Sequence, residues 1–148
     1  LIDCPAGIEN GFHRAVSSAK EAIVVTTPSV SAIRDADKVL SLLSGYRMET
    51  TSIVINRVRP NMVTRGEMMS PQDISRLLRT QPLGIIPEDD CITLYSQVGR
   101  VPGYAISDKA FKLLAENLHY GTGKVYEFTT SGIFARIFSR RAKARGAK

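Results

Sequence analysis

Three polar clusters in this sequence follow short apolar runs, and each carries residues able to do chemistry. They are DCPAG (Asp3 to Gly7), NRVRP (Asn56 to Pro60) and PEDD (Pro87 to Asp90). A carboxylate such as Asp3 at the end of a strand can hold a magnesium-bound water or orient an attacking one. Gly7, lacking a Cβ, lets the backbone approach a phosphate closely. The same aspartate could simply cap the next turn, and D-x-P-A-G alone leaves both readings open. A fourth cluster closes the chain. Placed on a helix, Ile133, Phe134, Ile137 and Phe138 form one continuous stripe flanked by Arg136, Arg140 and Arg141. Such a stripe suits the acyl boundary of a bilayer, with cations meeting anionic headgroups. A basic arm on DNA would use the arginines and leave both phenylalanines idle.

The elements that must position these residues are legible as periodicity. LID (1–3), AIVVTT (22–27), TSIVIN (51–56) and PLGIIP (82–87) are continuous apolar runs, as expected of strands buried on both faces. Between them, Val30, Ile33, Ala36, Leu40 and Leu43 keep helical spacing. Ser70, Pro71 and Asp73 form a helix start, followed by Ile74, Leu77 and Leu78 as its buried face. A further helix fits Asp108 to Leu118, with Ala110, Phe111, Leu114, Ala115 and Leu118 inward. Strands alternating with helices predict an α/β fold, a parallel sheet with helices on both faces and ligands beyond the carboxyl ends of the strands. Residues 119–131 read as a linker in which KVYEFTT could be an edge strand, and 132–148 as an amphipathic basic tail.

With 148 residues, 43% apolar and 23% charged, the chain has room for one ordinary core. Its formal charge of +6 arises wholly from the six cations between Arg136 and Lys148, so the body is neutral and the excess argues against a nucleic-acid-binding domain. Cys4 and Cys91 lie in neither a disulfide framework nor a metal spacing and read as reduced thiols; no motif places a base near Cys4. No apolar run is long enough to span a bilayer. His13 and His119 stand alone, and Met62, Met68 and Met69 suit apolar packing. LIDCPAG reads as a strand already under way, as in the C-terminal portion of something longer.

In this order and spacing, LIDCPAGIENGF, VVTTPSVSAIRDADKV, INRVRPNMVTRGEMMS and GIIPEDD resemble the MinD family of septum-site-determining ATPases, within the ParA/MinD deviant P-loop class. The resemblance covers roughly residues 1–100 and returns at GIFARIF, which looks like the family's membrane-targeting helix. It is weak between Tyr104 and Ser131. IRDAD, RGEMMS and the amphipathic end point to MinD more than to other P-loop relatives, which share D-x-P-A-G and I-P-E-D in some form.

The resemblance implies an ATPase using ATP and Mg2+, with Asp3 as the switch carboxylate near magnesium and the attacking water, and Gly7 sensing the terminal phosphate. Asn56, Arg57, Pro87, Glu88 and Asp89 would line the adenine pocket, a proline face and backbone groups holding the flat base. Ser31, Arg34, Asp35 and Asp37 would meet MinC and MinE near a homodimer interface; Ser29 and Gln97 depart from the family pattern there and in the SQVGRVP loop. The protein would sit in the cytoplasm, peripherally on the membrane, and help place the division septum. A ParA-type positioning ATPase and a non-catalytic membrane adaptor are the alternatives. Without the family pattern, Asn56-Arg57 reads as an ordinary strand-to-loop junction and Asp35/Asp37 as a solvated helix face. The 148 residues contain no G-x-x-x-x-G-K-[ST] loop, so as they stand they lack the cradle for the phosphates and should not turn over ATP.

Overall fold

The computed structural model describes residues 1–4, 7–97, 99 and 106–128. Its elements run α1 (Asn10–Ser18), β1 (Glu21–Thr26), α2 (Val30–Leu43), β2 (Thr50–Val58), α3 (Pro60–Thr64), α4 (Pro71–Leu78), β3 (Pro82–Pro87), α5 (Asp90–Gln97) and α6 (Asp108–Tyr120). The strands form one parallel sheet in the order β1-β2-β3. Helices cover both faces, as the alternating pattern predicts.

Central β2 organises the core. Ile53, Ile55 and Val58 are fully buried on one face, against Ile33 and Ala36 of α2 and Ile74 and Leu78 of α4. On the other face Val54 meets Ile86 of β3 and Ala110 of α6. Burying a side chain of this size is worth roughly 2 kcal/mol, so these contacts dominate the fold's stability. A third cluster joins Phe12 and Val16 of α1 to Leu43 of α2.

The helix starts follow their sequence chemistry. Ser70 Oγ accepts from Asp73 N–H at 3.1 Å with Pro71 in the first turn. Ser29 Oγ likewise accepts from Ala32 N–H at 3.3 Å, so serine caps α2.

Three expectations are corrected. Leu1 to Asp3 is not a strand: a strand exists through its ladder, and the outer edge of β1 pairs with nothing among the described residues. Ile2, Cys4 and Gly7 instead line an apolar cavity of about 340 Å³ with Phe12, Val16 and β1. β1 is not buried on both faces: Ile23 is exposed and Val25 is 62% exposed, because the helices among the described residues leave that face of the strand open. On α6, Ala110 is buried and Leu114 half-buried, whereas Phe111, Ala115 and Leu118 are exposed. The inward place near the end of α6 belongs to Asn117. Helices α1, α3 and α5 are short, and the sequence reading does not place them.

Helix α6 continues to Tyr120, and residues 121–128 after it form no strand but pack on the core. Val125 and Phe128 join the α2/α4 face of the core and Tyr126 the α6 face. Close packing also fixes Gly84 of β3: an added Cβ would lie 2.8 Å from Leu114 Cδ1 and 3.3 Å from Leu114 Cβ. Gly84→Ala is expected to destabilise the protein by about 1–3 kcal/mol. A lowered urea midpoint at unchanged slope would show it.

Candidate functional site

The carboxyl ends of β2 and β3 carry the second and third polar clusters side by side, with Val58 in register with Pro87. Between Ile55 and Val58 the register shifts: Ile55 faces Ile85 and Val58 faces Pro87, so Asn56 and Arg57 together oppose the single residue Ile86. This is a β-bulge, and Arg57 occupies the left-handed region at φ 59°. Most L-residues avoid that region; here local bonds hold it. Asn56 Oδ1 accepts from Arg57 N–H at 2.9 Å. The Arg57 guanidinium donates to both oxygens of Glu88, Nε to Oε2 at 2.8 Å and Nη2 to Oε1 at 3.1 Å. Glu88 in turn donates its N–H to Val58 O at 2.9 Å.

The paired geometry sets the electrostatics. The bidentate bonds from Arg57 hold the Glu88 carboxyl below the usual carboxylate range, against a smaller opposing effect of desolvation. The same bonds raise the Arg57 guanidinium. Asp89 is buried at 8% exposure. Its Oδ1 accepts from Cys91 N–H at 3.0 Å, and its Oδ2 from Ser107 N–H at 2.9 Å and Ser107 Oγ at 3.1 Å. The Ser107 N–H does most to keep this carboxyl ionised below its ordinary range.

These contacts revise the roles expected at the site. Asp89 caps α5 and ties it to the start of α6, so its oxygens already have partners within the protein. Pro87 is buried and offers no open face to a flat ring. Arg57 and Glu88 satisfy each other. Asn56 is half-buried and lines a groove of about 220 Å³ walled by Ile23, Val25, Val54, Ile86, Phe111, Leu114 and Leu118. Apolar walls with one amide at the edge are the ingredients of a site for a flat, hydrogen-bonding ring.

Gly7 lines the cavity described above, with α1 and β1. Gly7 has φ 94°, a conformation that favours glycine, and open space where a Cβ would stand. Asp3 is exposed. Among the described residues no three His, Cys, Asp or Glu gather as a metal site.

Ser31, Arg34, Asp35 and Asp37 are all exposed along the first half of α2, with Lys38 Nζ donating to Asp35 at 3.4 Å. They form a polar surface on the solvent side of Ile33 and Ala36. The stripe of Ile133, Phe134, Ile137 and Phe138 with Arg136, Arg140 and Arg141 lies outside the described residues, as does most of the loop after Gln97. Sequence reasoning missed the bulge and the Asp89 cap; an acid directly before a helix start was the available signal for the second.

No protein-family model matches the chain. It is 41% identical over 129 residues to a putative septum site-determining protein MinD of Guillardia theta, covering 81% of this chain and 48% of that protein. It is 42% identical to the septum site-determining protein MinD of Synechocystis over the same shares. The MinD cell division protein of Aquifex aeolicus superposes with TM-score 0.74 at 35% identity, over 83% of this chain and 53% of that one. The chain belongs to the MinD family. It spans about half the length of the MinD relatives it matches. MinD from Aquifex aeolicus has also been solved as a MinC:MinD complex (TM-score 0.72, 35% identity, over 84% of this chain and 51% of that one). MinD from Pyrococcus horikoshii has been solved with Mg-ADP (TM-score 0.68, 28% identity, over 82% and 50%). The parallel sheet with its covering helices is thus the MinD fold over the matched residues.

Proposed function

We propose that this chain is the part of a MinD-type cell-division ATPase that supplies the base-binding side of the nucleotide site, a partner-binding helix and the membrane tail. The carrying observation is the strand-end cluster of Asn56, Arg57 and Glu88, set on a fold matched by MinD relatives that include a Mg-ADP complex. In this reading Asn56 donates an amide hydrogen to the adenine, Arg57 and Glu88 brace Asn56 from behind, and Pro87 and Asp89 hold the strand end and α5 beside it. Asp3 orients the attacking water and reaches magnesium through water, and Gly7 contacts the terminal phosphate. ATP supplies the reactive phosphoanhydride, and magnesium neutralises its charge. The phosphate cradle is contributed by residues outside these 148, so turnover requires them.

Ser31, Arg34, Asp35 and Asp37 form the docking surface for a MinC-like division inhibitor and a MinE-like regulator, supported by the MinC:MinD complex of the Aquifex relative. The tail from Ile133 to Arg141 is a weak anchor on the cytoplasmic face of the membrane. Each cation near an anionic surface contributes about 1 kcal/mol, and folding the tail takes much of the total back. Two tails joined by an ATP-driven homodimer gain about 100-fold through effective concentration. Nucleotide state then sets membrane residence, and hydrolysis releases the protein to leave the septum unblocked where residence is low.

The tail is the decisive part to test. Phe134→Glu with Phe138→Glu should lower cosedimentation of the chain with anionic phosphatidylglycerol vesicles by about tenfold or more. Unchanged sedimentation would remove the membrane role.

A further inference from the structure

We propose that Arg57 and Glu88 position Asn56 for the base, through the left-handed bulge they lock, and do not themselves contact it. This deepens the nucleotide reading above and rests on it for the identity of the ligand. The argument begins with side-chain parity. Along a regular strand Ile53, Ile55 and residue 57 would share one face, and Val54, Asn56 and residue 58 the other. Instead Val58 is fully buried on the face of Ile53 and Ile55. The extra residue in the bulge makes this switch, and it can do so only because Arg57 turns left-handed.

Two results follow from that one conformation. Asn56 stays on the face of Val54, at the edge of the groove shared with Phe111 and Leu118, and the chain re-enters the ladder through Glu88 N–H to Val58 O. A non-glycine residue resists the left-handed region, so something must hold it there. The holding groups are visible: Asn56 Oδ1 fastens the Arg57 N–H, and Glu88 fastens the guanidinium at two points. With its oxygen occupied, Asn56 presents its NH2 as the free end, a donor suited to a ring nitrogen. Arg57 is mostly exposed and its fork is filled by Glu88, which leaves it in a supporting role.

Glycine adopts the left-handed region freely and alanine does not, so Arg57→Gly and Arg57→Ala separate geometry from contact. The experiment follows the Asn56 side-chain amide by 15N NMR in the 148-residue chain and titrates adenosine, which carries the base without phosphates. Arg57→Ala and Glu88→Gln should displace the Asn56 signal and weaken adenosine binding by about tenfold, while Arg57→Gly and the exchanged pair Arg57→Glu/Glu88→Arg stay within about threefold of the parent. Equal losses in Arg57→Gly and Arg57→Ala would make Arg57 a direct contact and overturn the proposal. So would an Asn56 signal that Arg57→Ala and Glu88→Gln leave in place. If Arg57→Ala unfolds the chain, Glu88→Gln keeps the test open, because it removes charge without changing the backbone. Should adenosine fail to shift the parent protein, the nucleotide reading fails, and the Asn56 signal still decides the positioning claim.

Discussion

Replacing Asp89 by alanine is expected to lower stability by about 3 kcal/mol, among the larger single-residue effects outside the apolar core. Two losses combine. An N-cap removed from α5 costs about 1–2 kcal/mol, and the bonds to Ser107, accepted by a charged group, contribute about 1.5–3 kcal/mol together with the penalty for stranding a buried donor. Ser107 is 1% exposed, so neither its N–H nor its hydroxyl can turn to water instead. The effect depends on pH with a definite sign. Asp89 has its carboxyl pKa lowered on folding, so its stabilisation is complete above the unfolded value of about 4 and is lost as pH falls through the lower folded value. Glu88 acts in the same sense through Arg57. Urea unfolding at a series of pH values should therefore show the parent losing stability below about pH 4 and Asp89→Ala losing less of it. A variant as stable as the parent at pH 7 would mean that the α5–α6 tie is made by other groups.

The fold was readable where period and punctuation agreed. The run PLGIIP is β3 to the residue, and Ser70-Pro71 starts α4 as its chemistry dictates, because both signals are local. What could not be read is set by neighbours. β1 looks as apolar as β2, yet Ile23 and Val25 stand open because burial belongs to a strand's position in the sheet and not to its composition. The same holds for Phe111 and Leu118, which face the open side beside β1 while Asn117 turns inward. At the site, NRV and PED marked the right strand ends but not who touches whom. The left-handed turn at Arg57 has no signature, since a sequence read for turns looks for glycine or asparagine there. The resemblance places Asp89 in the base pocket, whereas its own chemistry, an acid one residue before α5, makes it the cap of that helix.

Asn117 should produce the second large effect, and the direction of substitution matters more than size. Its Nδ2 donates to Leu83 O at 2.9 Å and Lys124 O at 2.6 Å, while Oδ1 accepts from Lys124 N–H at 3.0 Å and from the Thr122 hydroxyl. One buried amide thus ties the end of α6 to β3 and to Lys124 of the following segment, whose Val125 and Phe128 rest on the core. Asn117→Ala leaves two carbonyls and two donors short of partners and should cost about 3 kcal/mol. Asn117→Asp is nearly the same size but turns a carboxylate oxygen toward Leu83 O and Lys124 O, which can donate nothing to it, so it should cost more than alanine at pH 7. Urea midpoints would rank the variants, and limited proteolysis within 121–128 would show whether the segment is released with them. Equal stability of Asn117→Asp and the parent would mean that Leu83 O and Lys124 O do not depend on this side chain for a donor. The consequence reaches the proposed membrane anchor. Effective concentration favours two tails only when each is held close to the other, and it falls steeply as the connecting chain lengthens. By fixing the path as far as Phe128, Asn117 keeps the connection to the apolar stripe short, so releasing it should weaken vesicle binding even though no lipid-facing residue has changed.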